Sequence, residues 1–431
     1  MGSTINSSWC ASSKSLLWSP DLLTTRHQIK CPIHNFIRVT RLATLVIDHP
    51  YMQRTRNIKQ LGLAHYTYPS AVHTRFTHML GTYYLAGLMA EEVQRTRRKF
   101  VIPGISSIPT ELTSELIECI KLAGLCHDLG HGPYSHVLDS LFNNCDQRLR
   151  QHPMREHEAR SVALTREILS PLIPDPYVNF VLDLIHPSAE VVTQVEAAQS
   201  QALYQIVSNY KNGIDVDKFD YLLRDSHALG LGLSFSYQRL LNSLRISSVG
   251  DITYHRKCAE DVYELFQSRY TMHVKAYSHR KSKKIETMIL DLLLMMDEKL
   301  RFIESLDDMK RFVAFTDSTL FDLTRVLGDE NSQQLLRRIE SCQYYDIVLE
   351  TQELEEAKEN MEVWCQDYEK SLFKLVPVTC SFAADYSQIK FHDEKCEELE
   401  LKPDRSLVTT RRYLVVCRDQ ELARKIKRLR K

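Results

Sequence analysis

A mainly α-helical chain closed by a small α+β lobe is the fold class this sequence predicts, on three observations. Apolar residues recur at helical spacing from Arg41 onward, the strongest periodic segments stop at Gly and Pro, and β-branched runs flanked by charged turns appear only towards the C-terminal end. The 431 residues are 43% hydrophobic and 26% charged, enough apolar material for a sizeable core. At about 150 residues per domain the length allows two or three units, or one large helical unit filling most of the chain.

In chain order, residues 1–26 are rich in Ser and Thr without sustained periodicity, a loose tail with room for a short helix around Leu16 to Trp18. Leu42, Leu45, Val46 and Ile47 keep helical spacing, and Ile58, Leu61 and Leu63 lead into a Tyr/Pro-rich loop at 66–70. Phe76, Leu80, Tyr84 and Leu88 then mark a helix that runs out in Arg95, Arg97, Arg98 and Lys99, cations suited to the negative end of a helix dipole. Residues 101–110 read as a Pro/Gly/Ser loop. A helix over 114–123 stops at Gly130-His131-Gly132-Pro133, and another begins after Pro133. Further helices are predicted at 158–169, 204–210, 217–226, 261–276 and 285–305, with strands at 375–382 and 413–417. The resulting division is a tail (1–26), a core (27–340) and a C-terminal lobe with a basic end (341–431).

Lys+Arg 55 balances Asp+Glu 55, so no global field draws the chain to nucleic acid or to an anionic membrane. Two local basic stretches, 275–284 and 424–431, leave nucleic acid as a secondary partner, although solvated helix faces are the simpler account of each. The 11 cysteines are scattered with no CxxC pair, which reads as free thiols in a reducing compartment, nucleus or cytoplasm. The most apolar segment, 288–296, is interrupted by Asp291 and falls far short of the roughly 20 residues of a membrane span, and no secretory signal opens the chain.

The chemistry concentrates at residues 122–139, LAGLCHDLGHGPYSHVLD, where three histidines and two aspartates stand within eighteen residues. His127 and Asp128 end an apolar helix as neighbours, able to hold one ion from two sides; His131 lies four residues beyond His127, and His136 three before Asp139. Gly130, Gly132 and Pro133 break the helix and let these groups converge. Imidazole and carboxylate without paired thiolates point to a catalytic rather than a structural site for a divalent ion such as Zn, Fe, Mn or Co. More distant candidates for the same ion are His78, on a helical face with Arg75, and Asp217, in the run NGIDVDK.

The order His78, His127-Asp128, Asp217 resembles the H…HD…D signature of HD-domain metal-dependent phosphohydrolases. HTRFTHMLG (73–81), GLCHDLGHGPYSHVLD (124–139) and NGIDVDKFDYLLRD (212–225) are together similar to the deoxynucleoside triphosphate triphosphohydrolases of the animal SAM- and HD-domain type. The similarity is readable over 27–340; the N-terminal tail is too short for the family's SAM domain. The resemblance implies an HD-type helical core, hydrolysis of a dNTP to deoxynucleoside and inorganic triphosphate, and His78, His127, Asp128 and Asp217 as ligands of Fe, Zn or Mn, with Mg accompanying the triphosphate. Loss of the 5′ oxygen as a free alkoxide would be very unfavourable, so a general acid is needed. By similarity His136 takes that role with Asp139 orienting it, while His131 and His157 line the phosphate path. Arg75, Lys218, Tyr221 and Arg269 match phosphate contacts; Gln60 and Asp225 match the readers of the sugar 3′-hydroxyl; Leu61 and Tyr277 crowd the 2′ position. His273 also falls among the substrate-binding positions, and Ser278 stands where the family has glutamine.

The same resemblance implies a homo-oligomer, dimer or tetramer, activated by a guanine nucleotide and then a dNTP. Asp48, Gln53 and Arg56 match the guanine-reading trio, and Arg239, Lys257 and Arg337 match basic activator positions. Lys30, His255, Asp261 and Gln333 replace asparagine, arginine, asparagine and arginine, a loss of two cations and gain of a carboxylate that weakens polyphosphate binding. Two other readings stand beside this one: a nucleic-acid-binding HD module with little hydrolase activity, and an HD phosphodiesterase acting on another nucleotide.

Overall fold

The computed structural model describes residues 20–144, 147–233, 235–382, 386–395, 397–399 and 409–430. Helices dominate it and the sheets are small, as the sequence predicts. The short helix expected around Leu16 to Trp18 lies outside the described residues. Ordered structure begins inside the stretch expected to be tail: Pro20–Leu23 is a 3-10 turn, and Thr25–Cys31 pairs antiparallel with Asn35–Thr40. The second of these strands keeps the period of two that a half-buried strand requires, with Ile37 and Val39 buried and Phe36 and Arg38 exposed.

The helix Arg75–Thr96 is the centre of the core, buried on nearly every side. It packs against Ser114–Cys126 and against Val216–Leu229. Gly81 makes the second approach possible: a Cβ there would fall 1.8 Å from the Asp220 carboxylate. These three helices carry His78, the His127-Asp128 pair and Asp217 into one region.

Several elements differ from expectation for local reasons. Residues 101–110 are not a loop but part of a hairpin, Lys99–Ile102 with Ser106–Glu111, anchored by the fully buried Phe100 and Ile102. Two alternating apolar residues are too faint a period to stand out in a Pro/Gly-rich run. The hairpin also removes Lys99 from the preceding helix, which ends at Thr96. The helix expected over 204–210 is only the turn Gln201–Tyr204, because Asn209 accepts backbone hydrogen bonds from Lys211 and Asn212 and bends the chain. The helix expected over 261–276 runs Ala259–Met272 and widens into a π-helical turn, His273–Tyr277.

In the C-terminal lobe Thr410–Cys417 lies between Asp346–Thr351 and Phe373–Cys380, all antiparallel, and Val348, Val415, Ala423 and Ile426 contribute to a small core of its own. The basic end belongs to the helix Gln420–Leu429. The chain then ties itself back to the core, since Lys390–His392 pairs parallel with Ile252–His255 and buries Phe391 completely. Every described cysteine is a free thiol, and no helix among the described residues is long and apolar enough to cross a membrane.

Candidate active site

The loop after Ser114–Cys126 is braced by two buried guanidinium groups. Arg54 donates to the carbonyls of Leu129 at 3.2 Å and His131 at 2.6 Å, and Arg160 donates to that of Gly130 at 2.8 Å. Three consecutive carbonyls thus gain charged donors where water is excluded. Tyr134 and Ser135 follow in the left-handed region at φ 59° and 57°, uncommon for residues with a Cβ. Asp317 accepts the Tyr134 N–H at 2.7 Å, and the Ser135 hydroxyl donates to the Lys59 carbonyl at 2.7 Å while accepting from Arg75 at 3.0 Å. This reversal starts the helix His136–Asn144 beside the loop and brings His136 and Asp139 towards His131.

His78, His127, Asp128 and Asp217 converge as expected. His78 Nε2 lies 3.0 Å from Asp217 Oδ1, 3.4 Å from Asp128 Oδ2 and 3.3 Å from His127 Nε2, and His127 Nε2 lies 3.4 Å from Asp217 Oδ1. The outer nitrogens are occupied: His78 Nδ1 meets the Asp220 carboxylate at 2.7 Å, and His127 Nδ1 donates to the Gly124 carbonyl at 2.8 Å. Both rings therefore present Nε2 inward, the tautomer a metal ligand needs. Donors about 3.0 to 3.5 Å apart suit bonds of roughly 2.0–2.2 Å to a shared ion, so these residues fit a divalent metal. Burial opposes charge on His78, but hydrogen bonds to Asp217 and Asp220 outweigh it and raise its pKa to about 10. Burial likewise opposes charge on Asp128, yet Arg75, His127 and His131 hold its carboxyl well below the usual range.

A second group forms beside it. His136 Nδ1 lies 3.3 Å from Asp139 Oδ2, His131 and His157 stack with centroids 4.0 Å apart, and Arg160 donates to Asp139 Oδ1 at 2.9 Å. His136 is 71% exposed at its side chain, whereas His131 is buried. Burial, with the Arg75 and His157 charges, drives the His131 pKa well down and keeps the ring neutral. For His157 burial acts in the same direction, but the Asp139 hydrogen bond and the Glu158 and Asp139 charges raise the pKa.

Both groups face a cavity of about 740 Å³, also lined by Gln60, Leu61, Arg75, Lys218, Tyr221, Asp225, Arg269, His273, Tyr277 and Ser278. Tyr277 donates its hydroxyl to Asp225 Oδ2 at 2.7 Å. The π-helical turn places His273 and Tyr277 on this wall. Burial, Arg269, His136 and Lys283 lower the His273 pKa to about 3, so it lines the cavity as a neutral ring. Arg269 donates to the Ser381 carbonyl at 2.6 Å and hydroxyl at 2.9 Å while its Nε has no partner, and Pro377, Val378 and Thr379 complete the wall. The C-terminal lobe thus reaches the site, which the sequence reading did not foresee.

Also missed were Asp220, which binds His78, His34 and Arg224; His73, at 2.7 Å from Asp225 Oδ1; and the bracing Arg54 and Arg160. Asp220 carried a signal, three residues after Asp217 on one helix. Of the activator positions, Gln53 accepts from Arg56 at 2.8 Å, and Asp48 caps the helix Arg41–Ile47. Arg239 pairs with Asp261 at 3.2 Å, Lys257 with Glu394 at 3.2 Å, and Arg337 is exposed on its helix. No hydrogen bond or ion pair among the described residues joins these two sets. In the basic stretch, Lys281 donates to the Tyr66 carbonyl and Arg280, Lys283 and Lys284 pair with Glu350, Glu286 and Asp346, which lowers the charge available to nucleic acid.

Residues 75–224, the helical segment that carries these paired histidines and aspartates, match the HD domain family. The chain is similar to protein L394 of Acanthamoeba polyphaga mimivirus, described as HD domain-containing, with 42% identity over 300 residues that cover 68% of this chain and 63% of that protein. It is also similar to deoxynucleoside triphosphate triphosphohydrolase SAMHD1: 32% identical over 374 residues to that of Bos taurus (78% of this chain, 61% of the relative) and 32% over 365 residues to that of Homo sapiens (76% and 56%). The chain thus spans roughly three fifths of the length of these relatives.

Proposed function

We propose that this protein hydrolyses deoxynucleoside triphosphates to deoxynucleoside and inorganic triphosphate. The observation that carries the reading is that His127, Asp128 and Asp217, with His78 buried behind them, border the same cavity as the Tyr277–Asp225 pair, with His136 on its wall. The likeness to SAMHD1 supports the same substrate class. A divalent ion held by the four residues supplies Lewis acidity towards phosphate and water.

The chain's own groups do the rest. Lys218 and Arg269 line the cavity and offer positive charge to the phosphate chain. Asp225 accepts the sugar 3′-hydroxyl with Gln60 beside it, while the Tyr277 ring fills the space of a 2′-hydroxyl. Water adds to the α-phosphorus and gives up a proton to solvent, the bond from phosphorus to the 5′ oxygen breaks, and that oxygen takes a proton from Nε2 of His136, whose Nδ1 is held by Asp139. Arg160 fixes Asp139 in turn. Activation by a guanine nucleotide and dNTP in an oligomer extends the proposal, but Arg239 and Lys257 already have carboxylate partners within the chain.

The test is product identification with purified protein, Mn²⁺ and Mg²⁺, with and without GTP. Triphosphate release, abolished in Asp217→Ala, is expected; monophosphate or pyrophosphate as product refutes the assignment. Turnover that appears only with GTP establishes activator control despite the altered positions.

A further inference from the structure

Asp139 Oδ2 sits among three imidazoles, with Nδ1 of His136 at 3.3 Å, of His157 at 3.5 Å and of His131 at 4.0 Å. A carboxylate oxygen has two lone pairs and cannot accept from all three rings. His131, 1% exposed, has Asp128 Oδ1 3.2 Å from its Nε2, while its Nδ1, the nitrogen that faces Asp139, makes no hydrogen bond, an uncommon state for a buried polar atom. Arg160 holds the other Asp139 oxygen at 2.9 Å, fixing the direction in which Oδ2 points, and Glu158 Oε2 stands 3.3 Å from His157 Nδ1. A tetrahedral ion with metal–nitrogen bonds of about 2.0–2.1 Å has its ligand atoms roughly 3.3 Å apart. One donor atom from each of His131, His136, Asp139 and His157 lies within 4.8 Å of the others, so small side-chain movements reach that spacing. The stacked rings of His131 and His157 must splay to ligate together, and the exposed His136 is free to swing onto the ion.

We propose that His131, His136, Asp139 and His157 form a second divalent-cation site, of the zinc class, whose occupancy withdraws His136 from proton donation. Three imidazoles, one carboxylate and no thiolate suit Zn²⁺ or Co²⁺ over Mg²⁺ or Ca²⁺. The site shares no ligand with the His78, His127, Asp128 and Asp217 set. Ligation at Nδ1 leaves the His136 ring neutral, and the Nε2–H of such a ring is a far weaker acid than imidazolium. The binding claim stands alone; the inhibitory claim rests on the proposed function.

The experiment titrates the full chain with Co²⁺ and Zn²⁺, following bound metal by equilibrium dialysis and the Co²⁺ environment by visible absorption. Two ions per chain are expected. The second weakens roughly tenfold or more in His136→Gln and Asp139→Asn, whereas Asp217→Ala loses the first and keeps the second. A single ion per chain, or a second ion indifferent to both variants, overturns the site. His136 is 71% exposed, so His136→Gln stays folded and decides the matter if Asp139→Asn does not fold. Retention of both ions in Asp217→Ala defeats the metal assignment of the proposed function and leaves the second site standing. Zn²⁺ beyond one equivalent is expected to suppress dNTP turnover, and a bound second ion without that loss overturns the inhibitory claim.

Discussion

Asp225 is gripped from two sides, by the Tyr277 hydroxyl on Oδ2 and by His73 Nε2 on Oδ1, each at 2.7 Å. The carboxylate is thereby fixed in the cavity with the Tyr277 ring beside it. Tyr277→Ala removes the ring and opens the 2′ position, so the kcat/KM ratio of dATP to ATP should fall roughly 10- to 200-fold. Tyr277→Phe keeps the ring and should keep most of the discrimination. Steady-state kinetics on both nucleotides decides it, and an unchanged ratio in Tyr277→Ala removes the steric account.

Asp220 is a fully buried carboxylate that binds His78, His34 and Arg224 together. Asp220→Asn leaves the Arg224 charge without its counter-ion, and the expected loss of stability is about 3–5 kcal/mol. The His78 ring also loses its anchor, which should weaken Mn²⁺ binding by roughly 10- to 100-fold. Denaturant unfolding and metal titration measure the two effects separately.

Gly130 lies where the helix His157–Leu169 crosses the loop, and a Cβ there would stand 2.3 Å from the His157 carbonyl and 2.4 Å from the Ser161 nitrogen. Both neighbours are backbone, so the helix itself must shift. Gly130→Ala should destabilise the fold by about 1–3 kcal/mol and displace His157 from Asp139. Thermal unfolding reads the first effect, and loss of turnover exceeding the loss of folded protein reads the second.

Asp183, half-buried on the helix Asp175–Ile185, has its pKa pushed up to about 6 by burial, with Arg166 only partly opposing this. A raised carboxylate pKa means that the folded state binds the proton more tightly, so this group favours folding below its unfolded value. That contribution is lost as pH rises through the folded pKa. Asp183→Asn should therefore stabilise the protein at pH 7, by about 1 kcal/mol or less after solvent screening, with the gain fading as pH falls from about 6 towards 4. Unfolding curves across that range test the sign.

The dense histidines and aspartates of 122–139, with their Gly/Pro break, made the site legible because the ligands are close in sequence and the turn chemistry is local. His78 and Asp217 are weak candidates taken alone and join the set only through the resemblance of their runs to the HD-domain phosphohydrolases. Arg54 and Arg160 gave no such signal, since an arginine that braces carbonyls is no different in sequence from one in solvent. The hairpin Lys99–Ile102 with Ser106–Glu111 depends on core contacts made by Phe100 and Ile102. Asp220 was within reach: it and Asp217 approach His78 from opposite ring nitrogens, one helical turn apart.

The parallel pairing of Lys390–His392 with Ile252–His255 has a consequence for how the molecule is made. During synthesis Thr253 to His255 lack these strand partners until the segment around Phe391 has left the ribosome, so the sheet on that side of the core is sealed only after that distant segment is made. Contacts so distant along the chain close slowly, and a ribosome stalled before residue 390 would hold a nearly complete core with one raw strand edge exposed.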